Sequence, residues 1–155
     1  MEDTTVAPSA HLAPRHATRV RLSALFWGVF GLGAALRLVG LNKGIWLDEY
    51  TSLVLARQKP FLAAIRLDDH PPLYYVLLRL VLSVADSEPA ARLLSVVFGI
   101  LTLFTLMVWV RRYSLTAGIL AGLIGGTAPI LLRFSQELRS YPMLLFATAL
   151  AFYFG

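Results

Sequence analysis

Three short stretches hold most of the residues whose types and spacing could do chemistry: Trp46-Leu47-Asp48-Glu49, Asp68-Asp69-His70-Pro71-Pro72, and Gln136-Glu137-Leu138-Arg139-Ser140-Tyr141. Carboxylates that converge can act as a general base or share a divalent cation, and an arginine can grip a phosphate in a two-pronged fork. Each residue alone also has a plain reading. Asp48 is as well suited to cap a helix as to accept a proton, His70 before two prolines can cap a helix start, and Glu137 can pair with Arg139. The chemical reading rests on the three stretches being carried to one place.

The rest of the chain determines whether they are. Hydrophobic residues make up 57% of the 155 and charged residues 15%, where a soluble domain has about a quarter charged. The composition is that of a membrane protein, all-α, in which about 20 apolar residues are needed per crossing. There is no cysteine, which removes disulfides and thiolate metal sites. The net charge of +5 does not point to nucleic acid, because the basic residues are not interleaved with aromatics along a polar groove.

Four apolar segments are predicted as spans, at 22–41, 90–110, 115–132 and 142–155, the last still apolar where the sequence given stops. Residues 1–21, with Pro8, Pro14 and the cluster Arg15, His16, Arg19 and Arg21, read as a disordered cytoplasmic tail. The 22–41 segment is too long for the core of a cleaved signal peptide. Arg37 lies near its outer end, where it either snorkels to the headgroups or meets a phosphate. Segment 71–85 is short and carries Arg79, so it is predicted to lie in the interface, with Pro72 in its first turn and Tyr74 and Tyr75 in the headgroup layer.

Arg111 and Arg112 follow the second span at once, a cytoplasmic marker. With the tail also cytoplasmic, the crossings between them must be even in number, and 71–85 is the segment left out. The 42–89 region is then an outer loop, in which a helix capped by Asp48 runs to about Gln58 and a shorter one follows Pro60. Under this topology every acidic residue except Glu2 and Asp3 lies on the outer side. Gly118, Gly122 and Gly126 form a smooth face on the third span that calls for a partner helix.

The order of motifs resembles a known family. A first span ending in Arg37 is followed by Trp-Leu-Asp-Glu-Tyr (46–50), Asp-His-Pro-Pro-Leu-Tyr-Tyr (69–75), Ser-Glu-Pro-Ala-Ala-Arg-Leu (87–93) and Ser-Gln-Glu-Leu-Arg-Ser-Tyr (135–141). Over roughly residues 22–155 this resembles the N-terminal part of the GT-C membrane glycosyltransferases, in the branch of the protein O-mannosyltransferases and the aminoarabinose lipid A transferases. The resemblance implies an inverting transfer of sugar from a polyprenyl-phosphate donor to a glycan, lipid or protein acceptor outside the cytoplasm. It implies Asp48 as general base with Glu49 shaping that site, and Asp69, His70, Glu137, Arg139 and Tyr141 as substrate-binding positions, Arg139 toward the donor phosphate. Some relatives in the wider family use a divalent cation and this branch often does not; the sequence holds no tight ligand cluster.

Members of that family carry many more spans, so the expectation is a multi-pass protein of the cell membrane whose site is completed by helices outside these residues. Two other classes compete. A non-catalytic membrane subunit, or an inactive fragment, would use the glycine face to pack against a partner. A transporter would need ionisable residues inside its spans near the midplane.

Overall fold

The computed structural model describes residues 13–66 and 71–155, the side chains of 13–16 and 64 aside. The described residues form eight helices: α1 (Ala13–Leu38), α2 (Leu47–Arg57), α3 (Phe61–Ile65), α4 (Pro72–Val84), α5 (Glu88–Arg111), α6 (Leu115–Thr127), α7 (Pro129–Gln136) and α8 (Tyr141–Phe154), with no strand among them. Helices α1 and α5 are long and apolar enough to cross a membrane, and α6 with α7 makes a third candidate if the bent pair counts as one span. At 14 residues α8 is about 21 Å long, and α4 is shorter still. Both fall below the roughly 30 Å hydrocarbon core.

Several boundaries differ from the sequence reading. Helix α1 begins at Ala13, so the last part of the expected tail is helical; residues 1–12 lie outside the described residues. Helix α2 is capped not by Asp48 but by Glu49, whose carboxylate turns back to accept the Trp46 N–H at 3.2 Å. The expected third span, 115–132, is broken at Ala128 and bent by 59°. Pro129 is the cause, since its ring cannot continue a helix through the preceding turn. Tyr74 and Tyr75 are buried within the protein rather than exposed on its surface, and the Tyr74 hydroxyl lies 3.3 Å from that of Ser95 on α5.

The bundle is built on close crossings. Phe26, Val29 and Gly33 of α1 meet Gly118, Gly122 and Gly126 of α6 in register, so the two helices run parallel with α5 antiparallel to both. A methyl group on Gly33 would lie 3.2 Å from the Gly126 Cα, and one on Gly122 would strike Met107 of α5 and Val29 of α1. The partner called for by the glycine face is therefore within this chain. A second core, around Leu53, Ala56, Tyr74, Tyr75, Leu78 and Leu138, packs α2 and α4 against the start of α5. Beside it, polar contacts bring together the loop after α1, the starts of α2 and α5, and the end of α7 with the loop that follows it.

Candidate functional site

At that end the chain is tied by one buried ion pair. Arg92 enters the core from the second turn of α5 because Ser87 caps the helix, accepting the Ala90 N–H. Its Nε donates to Glu49 Oε1 at 3.1 Å and its Nη2 to Oε2 at 2.9 Å, a fork on the carboxylate. The same guanidinium donates to the carbonyls of Leu41, Lys43 and Gly44, which winds the α1–α2 loop around it. Glu49 Oε1 also accepts the Leu138 N–H at 2.9 Å. Glu49 and Arg92 are 3% and 2% exposed. Burial works to raise the Glu49 pKa, but the Arg92 fork, the two backbone N–H donors and the Arg92 charge together outweigh it and hold the carboxyl below its ordinary value.

Asp48, the neighbouring residue, is turned outward with its side chain 68% exposed, and its Oδ2 lies 3.3 Å from Arg139 Nη2. Arg139 also donates to the Tyr141 hydroxyl at 3.3 Å and stands 5.3 Å from that ring's centroid. Partial burial works to lower the Arg139 pKa, but the Tyr141 hydrogen bond and the nearby Asp48 charge more than offset it, and the guanidinium stays charged. Glu137 pairs with Arg133 one turn back at 2.6 Å, not with Arg139. The alternative in which Glu137 and Arg139 neutralise each other is thereby set aside.

Two open clefts adjoin at this place and share Trp46, Glu49, Arg133 and Glu137. One, about 270 Å³, adds Asp48, Phe134, Arg139 and Tyr141. The other, about 460 Å³, runs past Lys43, Arg92 and Gln136 to Pro129 and Leu132. Lys43 Nζ donates to Gln136 Oε1 at 3.2 Å, and no carboxylate among the described residues pairs with its charge. Trp46, Leu47 and Tyr50 are exposed beside Asp48. No family model, curated protein or solved structure matches this chain. What the site can do is therefore read from its own groups.

Of the positions singled out in the sequence, Asp48, Glu49, Glu137, Arg139 and Tyr141 come together here, while Asp69 and His70 lie outside the described residues. Among the described residues no three His, Asp or Glu side chains are grouped to hold a metal. The sequence reading missed Arg92, Lys43 and Arg133. Arg92 had a visible signal, an arginine one turn inside the start of an apolar segment, where an unpaired charge is costly and a buried partner must be sought. Arg37 was misplaced: it neither snorkels nor meets a headgroup, but is 2% exposed among α1, α5 and α6.

Proposed function

We propose that this chain is part of a multi-pass membrane glycosyltransferase that moves a sugar from a polyprenyl-phosphate donor to an acceptor hydroxyl on the extracytoplasmic side, with Asp48 as general base. The observation that carries the reading is the pairing of an open carboxylate, Asp48, with a cation, Arg139, on the wall of a cleft where Arg133 also stands. An inverting displacement at an anomeric carbon needs those two functions in one cleft, the base on one face of the sugar ring and the cation toward the phosphate on the other. The acceptor oxygen attacks C1 as Asp48 takes its proton, and the C1–O bond breaks with its electrons going to the phosphate, whose charge Arg139 receives. The single Asp48 contact at 3.3 Å is long for a charge-assisted bond, so an arriving phosphate competes for Arg139 without dismantling the fold.

The topology belongs to the same proposal. Arg19 and Arg21 lie near the start of α1 and Arg111 and Arg112 at the end of α5, the end of the bundle opposite Asp48. That asymmetry supports a cytoplasmic N-terminus, with the clefts on the other side of the membrane. The exposed Trp46, Leu47 and Tyr50 then offer an apolar lip for the prenyl chain, the acceptor, or further helices of the complete enzyme. The competing subunit reading loses its main support, since the glycine face is filled by α1 and α5.

The test is transfer of labelled sugar from polyprenyl phosphate in native membranes, wild type against Asp48→Asn at matched protein level. Loss of transfer with the protein retained supports the reading; unchanged transfer removes Asp48 from the chemistry and returns the chain to a non-catalytic role.

A further inference from the structure

Arg37 is 2% exposed in the middle of the bundle, and no carboxylate contacts it among the described residues. Its Nη1 donates to the Gly33 carbonyl at 2.7 Å, within its own helix, and its Nη2 donates across to the Gly125 carbonyl at 3.0 Å. The second acceptor is the informative one. In an α-helix the carbonyl of residue 125 is answered by the N–H of residue 129. Residue 129 is proline, which has no N–H and whose ring pushes against that same carbonyl. The orphaned acceptor sits inside the bundle, away from water, where leaving it unpaired costs more than a hydrogen bond is ordinarily worth.

We infer that Arg37 is the positioning residue that fixes the bend between α6 and α7, by supplying from α1 the donor that Pro129 removes. The surrounding glycines make its reach feasible. A methyl group on Gly33 would come within 3.2 Å of the Gly126 Cα and 3.7 Å of Arg37 Nη1, and one on Gly99 would come within 3.3 Å of Arg37 Nε. The adjacent residue of α1 holds the far end of α7, because the Leu36 carbonyl accepts from Gln136 Nε2 at 3.0 Å. The last turn of α1 thus holds the last turn of α6 before the bend and the last turn of α7 after it. Since α7 carries Arg133 and leads directly into Glu137, Leu138 and Arg139, the angle of this eight-residue helix determines where those groups stand relative to Asp48.

A proline bend alone is permissive: it forbids the straight helix but leaves a range of angles open. Arg37 selects one. The structural part of this inference stands without any assignment of activity, and only its consequence for transfer rests on the proposed function.

The chain has no cysteine, so nitroxides can be placed at will, and Thr116 on α6 and Ile130 on α7 are both exposed. Electron–electron distance measurement on the full chain in lipid nanodiscs reads the bend directly. Arg37→Met should at least double the width of the distance distribution. Arg37→Lys, which keeps one long donor, should recover most of the wild-type width. In Arg37→Met with Pro129→Ala the carbonyl regains its own helical N–H, and the distribution should be narrow again but centred at a longer distance. A wild-type width and centre in Arg37→Met overturns the inference, as does a double variant as broad as the single one. If Arg37→Met does not accumulate, Arg37→Gln against Arg37→Lys makes the same comparison, and equal widths overturn it. Transfer in native membranes should fall in the broad variants; widths that follow the expected pattern with transfer equal in every variant would count against the glycosyltransferase reading and leave the role of Arg37 intact.

Discussion

Asp48 and Glu49 are consecutive carboxylates at the first turn of one helix, and the structure gives them opposite circumstances. Glu49 is buried, and its two oxygens receive four hydrogen bonds from Arg92, Trp46 and Leu138. Asp48 is mostly exposed and has one ion contact, to Arg139, over an open cleft. A carboxylate so fully engaged joins chain segments and has little capacity left to accept a substrate proton; one held by a single long contact keeps that capacity. The neighbours teach that the acidic pair divides into a joint and a working group, and that the joint places the working group. Experiments that treat the two alike should break this contrast if it is wrong.

The largest expected effect is on the joint. Arg92→Met leaves Glu49 as a buried charge without its partner, which costs about 3–5 kcal/mol, and it releases the carbonyls of Leu41, Lys43 and Gly44 as well. We expect sharply reduced accumulation and a lowered melting midpoint, read by thermal unfolding in nanodiscs. Next comes Asp48→Asn, for which transfer should fall about 10²–10⁴-fold, the usual range for a general base, with the melting midpoint unmoved. A melting loss equal to that of Arg92→Met would erase the distinction between the two carboxylates.

Arg139→Lys sharpens the contrast from the other side. The lysine keeps the charge but not the fork, so donor KM should rise about tenfold, the equivalent of about 1.4 kcal/mol, while the pair with Asp48 is too exposed to cost more than about 1 kcal/mol of stability. A fall in kcat at constant KM would mean that Arg139 acts on the leaving phosphate alone and adds nothing to binding of the donor.

The smallest effect is on acid stability. The folded Glu49 carboxyl lies below its ordinary 4.5, so its contribution is complete above that value and is lost as pH falls through the lower, folded one. Melting midpoints measured from pH 6 down to pH 3 should decline in wild type, and less steeply in Glu49→Gln. A variant as acid-sensitive as wild type would mean that other carboxylates govern the decline.

The sequence made parts of this arrangement legible and hid others for physical reasons. The segment predicted at 90–110 forms α5 almost residue for residue, because a long apolar run between Ser87 and a pair of arginines has both ends marked. Segment 71–85 proved too short to cross, as its length implied. The cluster around Asp48 was visible as two of the three polar stretches, 46–49 and 136–141, but the pairing within it was not. Whether Glu137 meets Arg133 or Arg139 depends on the backbone after α7, and whether Glu49 meets Arg92 depends on a contact 43 residues apart in the chain. Arg37 misled because an arginine near the end of an apolar run has headgroups within reach, and only the crossing with α6 offers it something better. The Thr127-Ala128-Pro129 step did mark a break within the third segment, a signal that the length of the apolar run obscured.

The Arg37–Gly125 contact also has a bearing on biosynthesis. The carbonyl that answers this arginine is encoded 88 residues after it, and at 5–20 residues per second roughly 4 to 18 seconds of translation separate the two. Throughout that interval the cation has no acceptor from α6, and from the last turn of α1 its long side chain has the headgroups within reach instead. The buried position of Arg37 is reached only once α6 has been made.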